Sequence, residues 1–203
     1  MPKKVGRPLK SESDSENQAR IINATTEMIK SHGADYVTVR RVCEVADVSV
    51  GTFYHYFKDK DDLMMYFVRD TLFGEFTIAT PLANISDRIS ELYMHLVNKY
   101  MELGESFMRS FYTTSNTSLS AYMCEQDGEF VDNSIMARSE RELLKAQDEK
   151  VITSDADIHV MSQDICTIVK GCIFEWCLNS NKTDIERTIR RIIRNYLSVY
   201  IAL

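Results

Sequence analysis

Val45-Ala46-Asp47-Val48-Ser49-Val50-Gly51-Thr52-Phe53-Tyr54-His55-Tyr56-Phe57-Lys58-Asp59-Lys60-Asp61-Asp62-Leu63 is the stretch on which the reading of this chain turns. Asp47-Val48-Ser49 reads as a turn. Ser49 is a good cap for a short helix running to about Phe57, because its hydroxyl can accept from a free first-turn amide. Phe53 and Phe57 stand four apart and share one face of that helix, which directs them to a core. Val50, Gly51, Thr52, Tyr54, His55 and Tyr56 are then left largely outward. A purely structural helix would not put so many aromatics into water together. Hydroxyls and imidazoles hydrogen-bond phosphate, the helix N-terminus adds backbone amides, and Gly51 permits close approach. That face suits nucleic acid.

The flanks supply the remaining helices of a small head. Thr38 caps a second helix whose apolar face is Val39, Val42, Cys43 and Ala46. Before it, Ile21, Ile22, Thr25, Met28 and Ile29 recur at helical steps from Gln18 onward, and Gly33 ends that run. After it, Asp59 caps a fourth helix carrying Leu63, Met64, Phe67, Val68, Thr71 and Leu72. Short helices opened by Thr38 and Ser49 have helix-turn-helix spacing.

With Val37-Thr38-Val39-Arg40-Arg41-Val42 added, the run to Leu63 resembles the signature of the tetracycline-repressor (TetR) family. The likeness covers roughly Ile21 to Met65, about a fifth of the chain. It implies an all-α protein, with a three-helix DNA-binding domain followed by a helical ligand-binding and dimerisation domain. Thr38 and Lys60 fall where members grip phosphate from helix N-termini. Arg40, Val50, Gly51 and Tyr54 fall where bases are approached, and Ser49, Thr52, His55 and Tyr56 lie by the backbone. Two residues depart from the pattern. Asp47 stands where the family usually has Gly and must take a left-handed turn. Cys43 occupies a usually aliphatic core position.

The first sixteen residues mix basic, acidic, Gly and Pro residues and read as a disordered arm. Arg7 in Gly6-Arg7-Pro8, among Lys3, Lys4 and Lys10, resembles an arm that enters an A·T minor groove; a merely solubilising tail is the other reading. Residues 17–62 are then the DNA-binding domain and 63–203 the body.

Charge follows the same division. The chain carries −6 overall, but residues 1–60 sum to +2 and the rest to −8, as expected of a DNA-facing head on an acidic body. With 7 Gly and 3 Pro in 203 residues, long helices are favoured over many strands, and no strand is expected. No apolar run is long enough to span a membrane, and no secretory leader follows the basic start, so a cytoplasmic protein is expected. The five cysteines form no C-x-x-C pair and read as buried thiols. Cys124 is the one to test for reactivity.

In the body, Ile85, Ile89, Leu92, Leu96, Tyr100 and Leu103 form one long stripe, and Val131 to Lys150 reads as a helix. Tyr93, Leu96, Tyr100, Met101, Phe107, Met108, Phe111, Tyr122, Met123 and Phe174 are the candidate lining of an effector pocket, since thioethers and aromatics make adaptable apolar cavities. Ordinary core packing is the competing reading of each. Two terminal helices, about 155–179 and 183–202, read as a dimerisation hairpin with Ile165, Val169, Cys172, Trp176, Ile189, Ile193, Tyr196 and Tyr200 at the contact. Gly171 within it suggests close helix approach. His95 and His159 read as isolated, without carboxylate or Cys company at metal spacing, so no metal site is expected, nor any cofactor, and no nucleophile-base pair points to catalysis.

The expectation is a homodimeric repressor released from a palindromic double-stranded DNA operator by a small lipophilic or aromatic effector. The alternatives are a ligand-independent regulator or activator of the same fold, or a helical protein-interaction module.

Overall fold

The structure is a computed structural model describing residues 10–73, 76–113, 115–179 and 182–202. Helix α1 (Lys10–His32) and a 3-10 turn (Ala34–Tyr36) precede α2 (Val39–Ala46), α3 (Val50–Tyr56) and α4 (Lys60–Phe73). The first three helices close on Ile21, Val42, Phe53 and Leu63, all fully buried, with Phe57 beside them. The spacing of Phe53 and Phe57 does put both into this core, their rings 5.7 Å apart.

Helix α1 begins well before Gln18. Residues 10–16, expected as part of the arm, continue the helix, since no Gly or Pro interrupts it between Lys10 and His32. Arg7 lies outside the described residues.

The body comprises α5 (Ile85–Glu102), α6 (Glu105–Phe111), α7 (Thr117–Met123), α8 (Ile135–Asp148), α9 (Ile158–Leu178) and α10 (Ile185–Leu197). Helix α5 runs through its middle and packs on α4, α6, α8 and α10. Its stripe Ile85, Ile89, Leu92, Leu96 and Tyr100 is buried as the periodicity requires. Among the described residues no helix is long and apolar enough to cross a membrane.

The segment leaving α4 is pinned to the body by polar contacts. Ala79 and Thr80 donate their amides to Glu91, each at 2.8 Å, and Arg88 donates to the Thr80 carbonyl. The Phe76 ring stacks flat on His95, centroids 3.8 Å apart. Arg88 also pairs with buried Glu142 at 2.7 Å, and Lys145 caps the same carboxylate at 2.8 Å.

Several expectations need correction. A two-residue hairpin, β1 (Glu125–Gln126) with β2 (Glu129–Phe130), stands where no strand was expected. Asp127 and Gly128 supply its two positive-φ turn residues, a hairpin signal too short to show any strand periodicity. Helix α8 starts at Ile135, capped by Ser134. The C-terminal helix stops at Leu197. Residues beyond it turn back, so that Thr153 donates to the Tyr200 carbonyl and Ala202 to that of Val151.

His159 is not isolated: its Nδ1 lies 2.7 Å from Glu140 and its Nε2 3.5 Å from Glu125, with Phe130 stacked on the ring. The hydrogen bond to Glu140 raises its pKa above the ordinary imidazole value. Positions 125, 140 and 159 come from the hairpin, α8 and α9, so only tertiary folding joins them.

Candidate DNA-contacting surface and the body behind it

Two hydroxyl caps set the angle between α2 and α3. Thr38 accepts from the Arg41 amide at 3.3 Å and Ser49 from the Thr52 amide at 2.9 Å, and the Ser49 and Thr52 hydroxyls are bonded at 2.8 Å. Between the helices Asp47 takes the left-handed conformation, φ 51 and ψ 50, as its place in the motif requires. Arg20, on α1, donates to both the Asp47 carbonyl and its carboxylate. Sequence reading missed that anchor, because the two residues are 27 positions apart.

Helix α3 hides Phe53 and presents Val50 and Tyr54, which are 48% and 56% exposed, together with Gly51 and His55. Thr52 and Tyr56 are half-buried. A Cβ on Gly51 would meet only Ser49 Oγ at 3.7 Å, an ordinary contact. The protein's own packing therefore does not demand glycine here, and the bare backbone faces outward.

Around this helix the cations are held in different ways. Arg40 is largely exposed and bonded to Glu44 at 3.0 Å. Arg41 lies 4.0 Å over the Tyr36 ring and donates to the Tyr36 carbonyl, while Tyr36 stacks on His32. Lys60 opens α4 and reaches the Ala34 carbonyl at 3.5 Å. Cys43 is buried beside Ser49, and burial pushes its thiol up, consistent with packing rather than chemistry.

Seven of the proposed pocket residues are buried in the body: Tyr93, Leu96, Tyr100, Phe107, Met108, Phe111 and Tyr122. Phe107 and Phe111 stack at 5.0 Å, and Tyr100 lies 5.7 Å from Phe111 and 5.5 Å from Tyr112. Burial holds the Tyr93, Tyr100 and Tyr112 hydroxyls neutral by raising each pKa. Met123 is half-buried. Met101 instead edges an outer cleft of about 440 Å³ with Met94, Asn98 and Trp176. Phe174 points the wrong way for a pocket: it is 62% exposed, on the outer face of α9.

The terminal hairpin also needs correction. Ile165, Val169, Cys172, Trp176, Ile189 and Ile193 are buried inside the protomer, so none is free to form an intersubunit contact. These stripes are consumed by α9 and α10 packing on each other and on α5, α6 and α8. Tyr196 and Tyr200 are half-buried, and Tyr196 donates to Asp164 at 2.7 Å. What remains outward on α9 is a second stripe: Val160, Thr167, Gly171, Phe174 and Leu178, spaced at three, four and seven residues. A Cβ on Gly171 would meet nothing within 4 Å, so its close approach is not to any helix of its own chain.

A capped helix-turn-helix presenting an aromatic and hydroxyl-bearing helix, carried on a larger helical body, defines a DNA-binding regulator of the helix-turn-helix class. Residues 21–66 match the model of the bacterial regulatory proteins of the tetR family. Residues of this chain are 42% identical over 57 positions to the HTH-type transcriptional repressor KstR of Mycolicibacterium smegmatis; the match spans 28% of either protein. Among solved structures, the Thermus thermophilus FadR repressor bound to lauroyl-CoA is similar at TM-score 0.63 and 16% identity, over 92% of this chain and 96% of that one. The flavonoid-responsive regulator FrrA is similar at TM-score 0.56 and 14% identity, over 92% and 98%. Residues 21–66 are thus similar to the DNA-binding region of the tetR family, and the chain as a whole shares the fold of a TetR-family repressor.

Proposed function

We propose that this chain is a homodimeric transcriptional repressor that a small apolar or aromatic effector releases from a palindromic operator. The observation that carries the reading is the exposed face of α3, where Val50, Gly51, Tyr54 and His55 are outward without any need of the fold. Thr38, Ser49, Thr52, Tyr56 and Lys60 are the phosphate and sugar contacts in this reading, with Arg40 reaching a base or phosphate by leaving Glu44. The matched relative is named a repressor, and two similar structures are described as flavonoid-responsive and as bound to lauroyl-CoA.

Dimerisation uses the outward stripe of α9. Phe174 and Leu178 are each 62% exposed, and Val199 beyond α10 is 74% exposed. Burying such side chains against a second copy is favourable by roughly 1.5–3 kcal/mol each. A two-fold contact there would hold two α3 helices in successive major grooves, about 34–36 Å apart.

The effector signal has two routes to the head. Helix α4 packs on α5, and α6 packs on the Ala34–Tyr36 turn, directly before the Thr38 cap. Phe107 and Phe111 lie on α6, so a ligand displacing those rings moves the turn whose Ala34 carbonyl also holds Lys60. Packed interiors shift between discrete arrangements, and a small change in head spacing loses one half-site.

Fluorescence anisotropy with DNA fragments selected from the genome tests the reading. Two chains per palindromic site, with steep salt dependence, are expected. Binding that is equally tight to unrelated duplexes would overturn it.

A further inference from the structure

We infer that the outer cleft between the C-terminal half of α5, the end of α9 and the start of α10 binds an uncharged aromatic molecule, held by a carbonyl oxygen that accepts from the Trp176 indole N–H. The binding site stands by itself; only its effect on DNA rests on the regulator reading above.

The cleft encloses about 440 Å³, and small-molecule sites run from roughly 300 to 1,000 Å³. Met94, Trp176 and Ile185, each no more than 4% exposed, make its apolar walls, and Met101 makes its outer edge. Two of these four side chains are thioethers, which adapt their shape and pack well against the edge of an aromatic ring. Trp176 supplies the polar handle. Its indole N–H donates to no group among the described residues, yet the nitrogen is not one of the enclosed unpaired atoms of the core. It therefore opens where Trp176 meets solvent, and the cleft is the opening that Trp176 lines. An indole nitrogen donates and cannot accept, so an acceptor oxygen is the group that completes it.

Charge narrows the class. Asp184 and Glu186 stand on the rim beside Asn98, and no lining residue is Lys, Arg or His. Arg190 is held by Glu186 at 2.9 Å, and the arginines of α10 line a neighbouring cleft. A carboxylate reaching for the indole N–H would sit beside two like charges, which discriminates against it. An ammonium would find the rim carboxylates but offer nothing to the indole donor. A neutral carbonyl satisfies that donor without meeting repulsion.

The position also suits a signal. Phe174 and Leu178, on the outward stripe of α9, are each two residues from Trp176, about 200° round the helix. A second copy seated on that stripe leaves the cleft open. Met101 lies in the last turn of α5, its carbonyl accepts from the Gly104 amide at 3.0 Å, and Gly104, at φ 95, turns the chain into α6. Helix α6 packs on the Ala34–Tyr36 turn of the head, so a molecule pressing on Met101 acts on the element that touches the reading helices' support.

The test uses the full-length protein at neutral pH with three probes: coumarin, naphthalene and coumarin-3-carboxylate. Trp176 is the chain's single tryptophan, so ¹⁵N-labelled protein gives one indole N–H resonance, and that resonance reports this cleft alone. Coumarin should move it downfield and bind about tenfold more tightly than either other probe, as one neutral hydrogen bond allows. Asn98→Phe, at an exposed position on the rim, should fill the cleft and abolish coumarin binding without unfolding the protein. Asp184→Asn with Glu186→Gln should raise the affinity of the carboxylate probe, and Asn retains the helix cap. Any one of four results would overturn the assignment: an indole resonance unmoved by coumarin, preference for the carboxylate in the parent, coumarin binding undiminished in Asn98→Phe, or no gain for the carboxylate on the neutralised rim. Operator anisotropy separates the site from the regulator reading. Coumarin that shifts the indole resonance while DNA affinity holds supports the site and removes its route to the head. DNA release that survives Asn98→Phe supports the repressor and places its effector outside this cleft.

Discussion

Arg20 on α1 donates through Nη2 to the Asp47 carbonyl at 2.9 Å and to the Asp47 carboxylate at 3.1 Å, which ties the first helix to the turn between α2 and α3. Asp47 occupies a left-handed position that costs a residue with a Cβ about 1–2 kcal/mol. The exposed ion pair offsets only part of that. Asp47→Gly should therefore leave stability within about 1 kcal/mol of the parent, or raise it, because the bond to the carbonyl survives. Asp47→Val should lower it by at least about 1–2 kcal/mol. Urea unfolding of the two variants checks the ordering, and equal losses would show that the carboxylate, not the backbone, holds the turn.

Gly51 separates folding from recognition. Since its Cβ position meets only Ser49 Oγ, Gly51→Ala should keep or raise the melting temperature, by up to about 1 kcal/mol of helix propensity. Operator affinity should nonetheless fall, because the added methyl stands between α3 and the groove. Melting and anisotropy on one preparation measure both. A variant that binds the operator like the parent would remove Gly51 from the interface.

Lys60→Ala should weaken binding to every duplex alike and lower the salt slope by about one per subunit, as loss of one phosphate contact requires. The present bond from Lys60 to Ala34 is long at 3.5 Å and is readily exchanged for phosphate. An unchanged slope in salt-titrated anisotropy would confine Lys60 to the turn it touches.

His159 makes the body sensitive to pH. Its folded pKa lies above the ordinary 6.5, chiefly through the hydrogen bond to Glu140. The stabilisation is therefore complete below the unfolded value and disappears as pH rises through the folded one. Melting temperature should fall across that window above pH 6.5, and the hairpin amides should lose protection first. In His159→Gln this component of the pH dependence should be absent. Its persistence would assign the titration to another group.

The interface prediction follows the corrected stripe. Phe174→Glu with Leu178→Glu should yield a folded monomer with weakened operator binding, since both side chains are exposed in the protomer. Ile193→Glu should instead unfold the protein, because Ile193 is 0% exposed and an unpaired carboxylate would enter its core. Sedimentation together with circular dichroism distinguishes the two. An intact dimer in the first variant would move the contact away from α9.

The DNA-reading head was legible in the sequence because its signals are local. Thr38 and Ser49 cap helices through amides three residues away, Phe53 and Phe57 share a face through a four-residue step, and Asp47 and its neighbours form a turn within one span. Each of those relationships is written in a handful of consecutive residues. In the body, periodicity revealed that α9 and α10 are amphipathic, and it placed Ile89, Leu92, Leu96 and Tyr100 on one buried face. It could not say which partner each apolar stripe meets. Ile165 and Ile193 serve the protomer's own core, while Phe174 and Leu178 are left outside, and the same hydrophobic pattern is compatible with either assignment. The meeting of His159 with Glu125 and Glu140, and of Tyr93 with Ser139 and Cys166, joins side chains from three helices or from a hairpin and two helices. Only tertiary packing decides contacts of that kind, because the chain between the partners carries no spacing that registers them.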